Sequence, residues 1–369
     1  MSYISAVSTN DKVLVWERNV DGERVLQAFD APHYLYIEDP DGEYESIYGD
    51  KATKLTFKNR SDYYKAKKEI IATGLKTFEA DISAELRVLS NKYYNIPAPK
   101  LHVTMYDIEV DYDPAIGFSS VKNPYAPINA IAVVHEWNKQ LVVFAVPPPG
   151  FVQITNDSFI QQMNAISPID ESYQLKLTIC ADESELLTSF LAEIHDSDVI
   201  CGWNSDWFDT PYVAKRVGMV LGKVASKRLC FDGAGDPKWR EVERFSVYGS
   251  APAELEEVVD LQGRIGADYL DLFKKYEVAD RGSFKLENIS EEILVDENGV
   301  PMLPKLEYKG TLAALYRSNF ISFIRYNIRD VEILHGFEER LGYVELANQM
   351  YHLSTGLFHH VSGTIKLAA

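Results

Sequence analysis

The chain has little cysteine and no excess of positive charge. Its 369 residues include three cysteines, Cys180, Cys201 and Cys230, and none of them forms a Cys-x-x-Cys pair. This pattern excludes a disulfide-based scaffold and is typical of small buried side chains in a reducing compartment. The formal net charge is −18, which argues against a chain that holds nucleic acid tightly by itself, because phosphate neutralisation drives such binding. It does not exclude a chain that takes one strand end into a metal site.

Long apolar runs and targeting signals are also absent. No apolar stretch approaches the roughly 18 residues that cross a bilayer, and the first residues lack the basic start and apolar core of a signal peptide. Neither repeats nor low-complexity tracts occur. Hydrophobic residues make up 46% and charged residues 25% of the chain, so we expect a soluble globular protein of two or three domains, without a membrane partner.

Residues 1–100 are predicted to form a first, smaller α+β domain, to which about 340–369 return. The pattern predicts short strands separated by Asp-Gly turns and one helix, which begins after Ser61 as N-cap and stops at Gly74. Pro97-Ala98-Pro99 is predicted to be a linker. The strand predictions are 12–18 and 34–37, and the helix prediction is 61–74.

Residues 101–339 are predicted to form a second domain of the α/β class with a mixed central sheet, because strand and helix patterns alternate. Residues 231–263 carry glycine, proline and charges around 245–248, and we predict an irregular insertion that contains a hairpin. From Thr311 to about Tyr351 the pattern predicts nearly continuous helix. The other predictions are strands at 101–110, 128–137, 140–147 and 199–204, and helices at 184–195 and about 211–222.

The first candidate for a functional site is Tyr106-Asp107-Ile108-Glu109, which lies inside an apolar strand-like run. Strand side chains alternate between faces, so Asp107 and Glu109 point to one side. Two carboxylates in a mostly buried place repel each other unless a cation joins them, and hard divalent ions prefer oxygen ligands. The alternative is an exposed edge strand. Asp-x-Glu occurs three more times: at Asp21/Glu23 and Asp41/Glu43, which enclose glycine and predict hairpin turns, and at Asp330/Glu332.

Two further acidic positions are marked by their context. Asp209 follows a predicted buried strand at the start of a helix, where it is either an N-cap or a group at the mouth of the sheet. Asp330 lies four residues after Tyr326 on a predicted helix, so both side chains share a face. The alternative for that pair is an ordinary helix surface.

Taken together, these segments resemble family B DNA polymerases, with the replicative enzymes of tailed bacteriophages the most similar among them. The order Asp-x-Glu, Asn-x-x-x-Phe-Asp and Tyr-x-x-x-Asp is similar to the three motifs of the DEDDy 3′→5′ exonucleases, which have a ribonuclease-H-like fold. Gly202-Trp203-Asn204, Tyr269-Leu270-Asp271 and Tyr326-Asn327-Ile328 extend the resemblance over nearly the whole chain.

The resemblance implies a role for each matching residue. Asp107, Glu109, Asp209 and Asp330 are expected to hold two divalent ions, Mg²⁺ or Mn²⁺. Tyr326 is expected to orient the attacking water, because a phenol with an ordinary pKa near 10 is a poor general base. Lys305 matches the lysine that assists at the scissile phosphate, although a surface lysine is an equal alternative. The positions that contact the strand end and pack beside the metals correspond to Asn204 and Phe208.

The motifs of the polymerase palm are absent: there is no Asp-x-x-Ser-Leu-Tyr-Pro-Ser and no Asp-Thr-Asp. We therefore expect proofreading without synthesis, in the host cytoplasm if a phage encodes the chain. The implied partners are a single-stranded DNA 3′ end or primer-template, the palm, fingers and thumb from the same gene or a separate chain, and a sliding clamp. An excised fragment, a natural split half and a free-standing nuclease all fit. A weakly catalytic docking half and an RNA-directed exonuclease stay as alternatives.

Overall fold

The computed structural model describes residues 1–9, 11–113, 115–244, 254–277, 281–304, 306–308 and 310–362. The chain divides into two compact units, one formed by residues 1–100 with 348–369 and the other by residues 101–347. None of the helices in the described ranges combines the length and the apolar composition that crossing a bilayer requires.

The first unit contains two antiparallel sheets. One has the order β1-β2-β3, and the other the order β5-β6-β4-β7. The predicted strands at 12–18 and 34–37 are confirmed, and Gly22 makes the predicted hairpin turn between β2 and β3 with a φ of 81°. The strands are β1 (Ser2–Ser8), β2 (Lys12–Arg18), β3 (Arg24–Asp30), β4 (Tyr34–Glu38), β5 (Tyr44–Glu45), β6 (Lys51–Thr56) and β7 (Thr77–Phe78).

Two predictions for the first unit are wrong in detail. Helix α1 (Arg60–Ala72) begins after Asn59, whose side chain accepts a hydrogen bond from the Asp62 N–H, so Asn59 rather than Ser61 is the N-cap. The turn at Asp41 does not form a hairpin, because β4 pairs with β6 and β7 and not with β5. A second helix, α2 (Ala84–Tyr93), is capped by Ser83.

The second unit is built on a six-stranded mixed sheet of order β11-β10-β9-β8-β12-β15, in which β8 is a central strand. β8 is antiparallel to β9 and parallel to β12, as expected for an α/β sheet of ribonuclease-H-like type. The strands of this sheet are β8 (Val103–Val110), β9 (Ile128–His135), β10 (Gln140–Ala145), β11 (Gln174–Ile179), β12 (Val199–Gly202) and β15 (Ile265–Asp268). A separate two-stranded sheet contains β13 (Lys238–Arg244) and β14 (Glu254–Asp260).

Helices cover both faces of this sheet. The core on one face includes Tyr106 and Ile108 with residues of α4 and α5, and the core on the other includes Ala130 and Ala132 with residues of α3 and α10. The helices from residue 156 onwards are α3 (Asn156–Ile166), α4 (Glu183–Glu193), α5 (Asp209–Val220), α6 (Lys223–Ser226), α7 (Tyr269–Tyr276), α8 (Leu286–Ile293), α9 (Leu312–Ser318), α10 (Phe320–Leu341), α11 (Tyr343–Leu353) and α12 (Phe358–Ser362), of which α12 belongs to the first unit.

The prediction of nearly continuous helix from Thr311 to about Tyr351 is confirmed, because α9, α10 and α11 follow one another with single-residue interruptions at Asn319 and Gly342. Asn319 separates α9 from α10 and caps α10 by accepting a hydrogen bond from Ser322 N–H. Gly342, with a φ of 63°, ends α10 in the left-handed conformation that glycine adopts without steric cost. α10 is therefore a 22-residue helix with defined ends.

The predicted insertion contains an antiparallel hairpin, in which β13 pairs with β14 from Lys238 opposite Asp260 onwards. The hairpin prediction is confirmed for these strands. The segment 245–248 of the insertion lies outside the described residues.

Candidate metal centre

Strand β8 presents two carboxylates to the same face of the sheet. Ile108 belongs to the core under α4 and α5, so the neighbouring Asp107 and Glu109 point to the opposite face, which α10 covers. Glu109 is only 9% exposed. The prediction that the pair lies on a buried strand is confirmed, and the alternative of an exposed edge strand is wrong.

Helix α10 brings a third carboxylate to this pair. Tyr326, Asn327 and Asp330 fall within an arc of about 100° on the helix, because each residue advances the helix by about 100°. Asp330 is 8% exposed. One oxygen from each of Asp107, Glu109 and Asp330 lies within 4.8 Å of the others. We call these three residues the acidic cluster.

Asp209 is the first residue of α5, which follows β12 after the turn formed by residues 203–208, and β12 runs parallel to β8. It is not an N-cap: Phe208 is at that position, and no side chain caps the helix. Instead the Oδ1 atom of Asp209 accepts a hydrogen bond from the Ile108 N–H of β8, at 3.3 Å. Asp209 is not one of the three residues of the acidic cluster, but its charge raises the pKa of Asp107. The fourth predicted carboxylate therefore lies beside the other three.

Burial and like charge both act on the protonation of these groups. Burial raises the pKa of Asp107 well above its usual range, and the carboxylates of Asp330, Asp209 and Glu109 raise it further. A hydrogen bond from Asn327 opposes the shift. Burial also raises the pKa of Asp209 to about 7, with a smaller contribution from Asp330. The folded chain thus keeps negative charge at this place only at a cost in free energy.

Tyr326 has its phenol beside the acidic cluster. Burial raises the pKa of Tyr326 far above its ordinary value, and Asp330 and Glu109 add to the shift. The ring lies 5.3 Å from that of Tyr308 in an edge-to-face arrangement. At neutral pH the phenol is therefore protonated, so it can donate or accept a hydrogen bond but cannot take up a proton.

The turn between β12 and α5 carries Asn204 and Phe208. Asn204 has a φ of 62°, which asparagine tolerates better than most residues. Asp268 holds the turn by accepting hydrogen bonds from the N–H groups of Asn204 and Asp206, at 2.9 and 3.2 Å. The start of the turn needs glycine, because a Cβ at Gly202 would lie 2.7 Å from the Cβ of Ser205. Phe208 packs partly buried against the core under α4 and α5.

Lys305, the sixth predicted catalytic residue, lies outside the described residues. Its role stays a prediction. The five other candidates come from β8, α5 and α10, three elements that are far apart in sequence.

Sequence reasoning missed two residues that organise this centre. Asn327 donates a hydrogen bond of 2.7 Å to the Oδ2 atom of Asp107, and Asp268 holds the Asn204 turn. Asn327 stands between Tyr326 and Asp330, so a polar residue on the buried face of a predicted helix was the available signal. No comparable signal marked Asp268, because the groups that donate to its carboxylate are backbone N–H groups 62 and 64 residues away.

The opposite face of α10 carries a different charged group, which we call the anchor cluster: Arg325, Arg329 and Glu332. Arg325 is fully buried and donates to Glu332 at 2.9 Å and to the backbone carbonyls of Ser167 and Pro168 at 2.8 and 3.1 Å. Arg329 lies 3.1 Å from the Glu332 carboxylate and donates to the Ser167 hydroxyl at 2.6 Å. The cluster ties α10 to the segment that follows α3.

Comparison with known proteins gives one family and two relatives. The family model described as "DNA polymerase family B, exonuclease domain" matches residues 59–289, which include Asp107, Glu109 and Asp209. The chain is 28% identical over 381 residues to the DNA-directed DNA polymerase of Escherichia phage RB69, covering 99% of this chain and 40% of that protein. It is 32% identical over 168 residues to the DNA-directed DNA polymerase of Enterobacteria phage T4, covering 46% of this chain and 17% of that protein.

Proposed function

Because the chain belongs to the family B DNA polymerases through their exonuclease domain, we propose that it removes nucleotides from the 3′ end of DNA with the help of divalent metal ions. The observation that carries the proposal is the acidic cluster, in which three carboxylates from a strand and a helix 220 residues away approach within 4.8 Å. The raised pKa of Asp107 supports the proposal, since strongly perturbed acids concentrate at functional sites.

The donor set fits hard divalent cations. All four candidate ligands, Asp107, Glu109, Asp209 and Asp330, offer carboxylate oxygens, which Mg²⁺ and Mn²⁺ prefer. A cation at this place would offset the repulsion that raises the pKa of Asp107. We propose that these residues hold two such ions. When bound, divalent ions of this kind polarise a phosphodiester and make water a better nucleophile.

The other side chains are proposed to position the reactants. Tyr326, which stays protonated, holds the attacking water by a hydrogen bond rather than taking its proton. Asn204 contacts the strand end, Phe208 packs beside the metals, and Lys305 assists at the scissile phosphate. The fold holds these groups in position before the substrate binds, because the anchor cluster fixes α10 and neighbouring strands on both sides fix β8.

The biological role that we propose is proofreading as part of a DNA polymerase. The chain spans 40% of the length of the RB69 phage polymerase that it matches. A net charge of −18 favours a strand end delivered by a more basic partner, because the chain lacks the charge to hold DNA by counterion release. We propose the palm, fingers and thumb as that partner, with a sliding clamp as a further one.

The test is release of nucleotides from a 3′-labelled single-stranded DNA oligonucleotide with Mg²⁺. The wild type should release 5′-mononucleotides, and Asp107→Ala/Glu109→Ala should not. A matched control is Asp21→Ala/Glu23→Ala, which removes the same residue types from an exposed hairpin turn in the first unit. No release by folded wild-type protein would contradict autonomous nuclease activity and favour a docking half. Faster release from RNA than from DNA would favour an RNA-directed exonuclease.

A further inference from the structure

Asn327 makes two hydrogen bonds to a single residue of the acidic cluster. Its Nδ2 atom donates to the carboxylate Oδ2 of Asp107 at 2.7 Å and to the backbone carbonyl of the same residue at 3.3 Å. Both acceptors are oxygens, so the orientation of the amide group follows from the contacts. One amide thus connects α10 to the backbone and to the side chain of Asp107 on β8.

The asparagine destabilises the fold at this position. Asn327 is fully buried, next to Ile328 and close to Ile324 and Val331 of the apolar core on the same helix. Its Oδ1 atom has no hydrogen-bond partner among the residues that the structure describes, and a buried polar atom without a partner destabilises the fold. Asparagine is also a poor helix former. A leucine of similar size would avoid both costs, so the benefit of the amide lies in the Nδ2 donor.

A neutral donor does something here that a cation could not. An arginine or lysine at position 327 would pair with Asp107 and compete with a metal ion for the same carboxylate. The amide fixes the rotamer of Asp107 without adding positive charge, so the negative charge of the acidic cluster stays available to a cation. Ligands of metal ions commonly depend on such outer hydrogen bonds for their orientation.

We propose that Asn327 is a positioning residue that sets the Asp107 carboxylate for metal binding. The inference rests on the proposed function, because it assigns the acidic cluster to a divalent ion. Loss of the Nδ2 donor should weaken Mn²⁺ binding about 10- to 100-fold, which is the range typical for loss of an outer hydrogen bond at a metal site.

The experiment is a titration of the metal-free protein with Mn²⁺, followed by electron paramagnetic resonance, on the wild type, Asn327→Leu and Asn348→Leu. Asn348 is the matched control: it is fully buried, and its Nδ2 donates to a backbone carbonyl, that of Pro99, at 2.9 Å. Urea unfolding of each metal-free variant separates loss of metal affinity from loss of folding. Asn327→Ala, which also lacks the donor, replaces the leucine variant if that variant fails to fold.

The expected result is an Mn²⁺ dissociation constant raised at least tenfold in Asn327→Leu and unchanged in Asn348→Leu, with metal-free Asn327→Leu at least as stable as the control variant. At saturating Mn²⁺, nucleotide release should recover most of its rate. An unchanged dissociation constant in both asparagine-327 variants would overturn the inference and leave the proposed function standing. Absence of Mn²⁺ binding to the wild type would instead contradict the proposed function.

Discussion

Helix α10 separates two buried groups of charged side chains that are built differently. The anchor cluster joins Glu332 to two arginines, so each charge has a partner of opposite sign within the fold. The acidic cluster lies about 140° around the helix from the anchor cluster and brings Asp330 close to Asp107 and Glu109. These like charges do not neutralise one another, and the charges of Asp330 and Glu109 raise the pKa of Asp107. The first arrangement stabilises the helix position. The second is suited to a cation from solution.

This comparison explains why one helix can serve both purposes. A buried ion pair holds elements in place, because removing either partner leaves an uncompensated charge. A group of like charges destabilises the fold until a cation binds. Arg325 donates to the backbone carbonyls of Ser167 and Pro168, and Arg329 donates to the Ser167 hydroxyl. Because these bonds hold α10, the helix keeps Asp330 in place against the repulsion of the carboxylates on β8.

The largest effect should come from Asp330→Asn, which removes one carboxylate from the acidic cluster. We expect nucleotide release to fall about a thousandfold or more, because a metal contact contributes several kcal/mol to the transition state. Metal-free stability should stay the same or rise, since one of several like charges is lost. A steady-state assay and urea unfolding check both effects. Glu339→Gln, an exposed position on the same helix, is the control, and a loss below tenfold in Asp330→Asn would contradict the account.

The second effect concerns the opposite face. Glu332→Leu leaves Arg325 and Arg329 buried without their shared carboxylate, and we expect the free energy of unfolding to fall by about 3–5 kcal/mol. Urea unfolding with and without Mg²⁺ is the measurement. Glu339→Leu, which removes a half-exposed carboxylate, should change stability by less than about 0.5 kcal/mol. If the two substitutions lowered the free energy of unfolding equally, the anchor cluster would not hold α10 as described.

The third effect is a dependence of metal-free stability on pH. The pKa of Asp209 is raised to about 7 in the folded chain from 3.8, so between these values the folded state binds more protons than the unfolded state. Stability therefore falls as the pH rises from about 4 to about 7, by up to about 4 kcal/mol from this group. Asp206 and Asp268, with pKa values of about 6 and about 8, contribute with the same sign.

Urea midpoints at pH 5 and pH 8 in EDTA measure this slope. Asp209→Asn should reduce it, and Mg²⁺ should reduce it in the wild type but not in Asp209→Asn, because a cation favours the ionised carboxylates. A slope that neither the substitution nor Mg²⁺ alters would assign the pH dependence to Asp206 and Asp268 and contradict the metal account of the acidic cluster.

The smallest effect should be that of Tyr326→Phe. Loss of one hydrogen bond to water costs about 1–2 kcal/mol, which corresponds to roughly a 5- to 30-fold slower release. The phenylalanine keeps the edge-to-face contact with Tyr308. Single-turnover rates measure the effect. The control is Tyr316→Phe, because the Tyr316 hydroxyl on α9 donates to the backbone carbonyl of Val146. A loss as large as that of Asp330→Asn would mean that the phenol has more than a positioning role.

The sequence was informative wherever a pattern is local. Alternation along β8 placed Asp107 and Glu109 on one face, and the four-residue spacing of Tyr326 and Asp330 placed them on one side of α10. The junction of β12 and α5 likewise located Asp209, and the alternative that Asp209 is the N-cap of α5 was wrong. These inferences depend on the period of a strand or helix, which holds in any tertiary context.

What sequence reasoning missed depends on contacts between distant residues or on competition between caps. The bond from Asn327 to Asp107 spans 220 residues, and that from Arg325 to Ser167 spans 158. Ser61 and Asn59 are both good N-caps, and only the backbone path decides for Asn59. The break at Asn319 was hidden because apolar residues continue on both sides of it.

We propose that the acidic cluster and Asp209 take divalent ions from solution. The most direct measurement is anomalous diffraction from crystals of the chain grown or soaked with Mn²⁺. The account predicts manganese peaks among the carboxylates of Asp107, Glu109, Asp209 and Asp330, absent in Asp107→Ala/Glu109→Ala, and no peak at the anchor cluster. The proposal would be contradicted if crystals with saturating Mn²⁺ and four ordered side chains showed no manganese peak among these carboxylates.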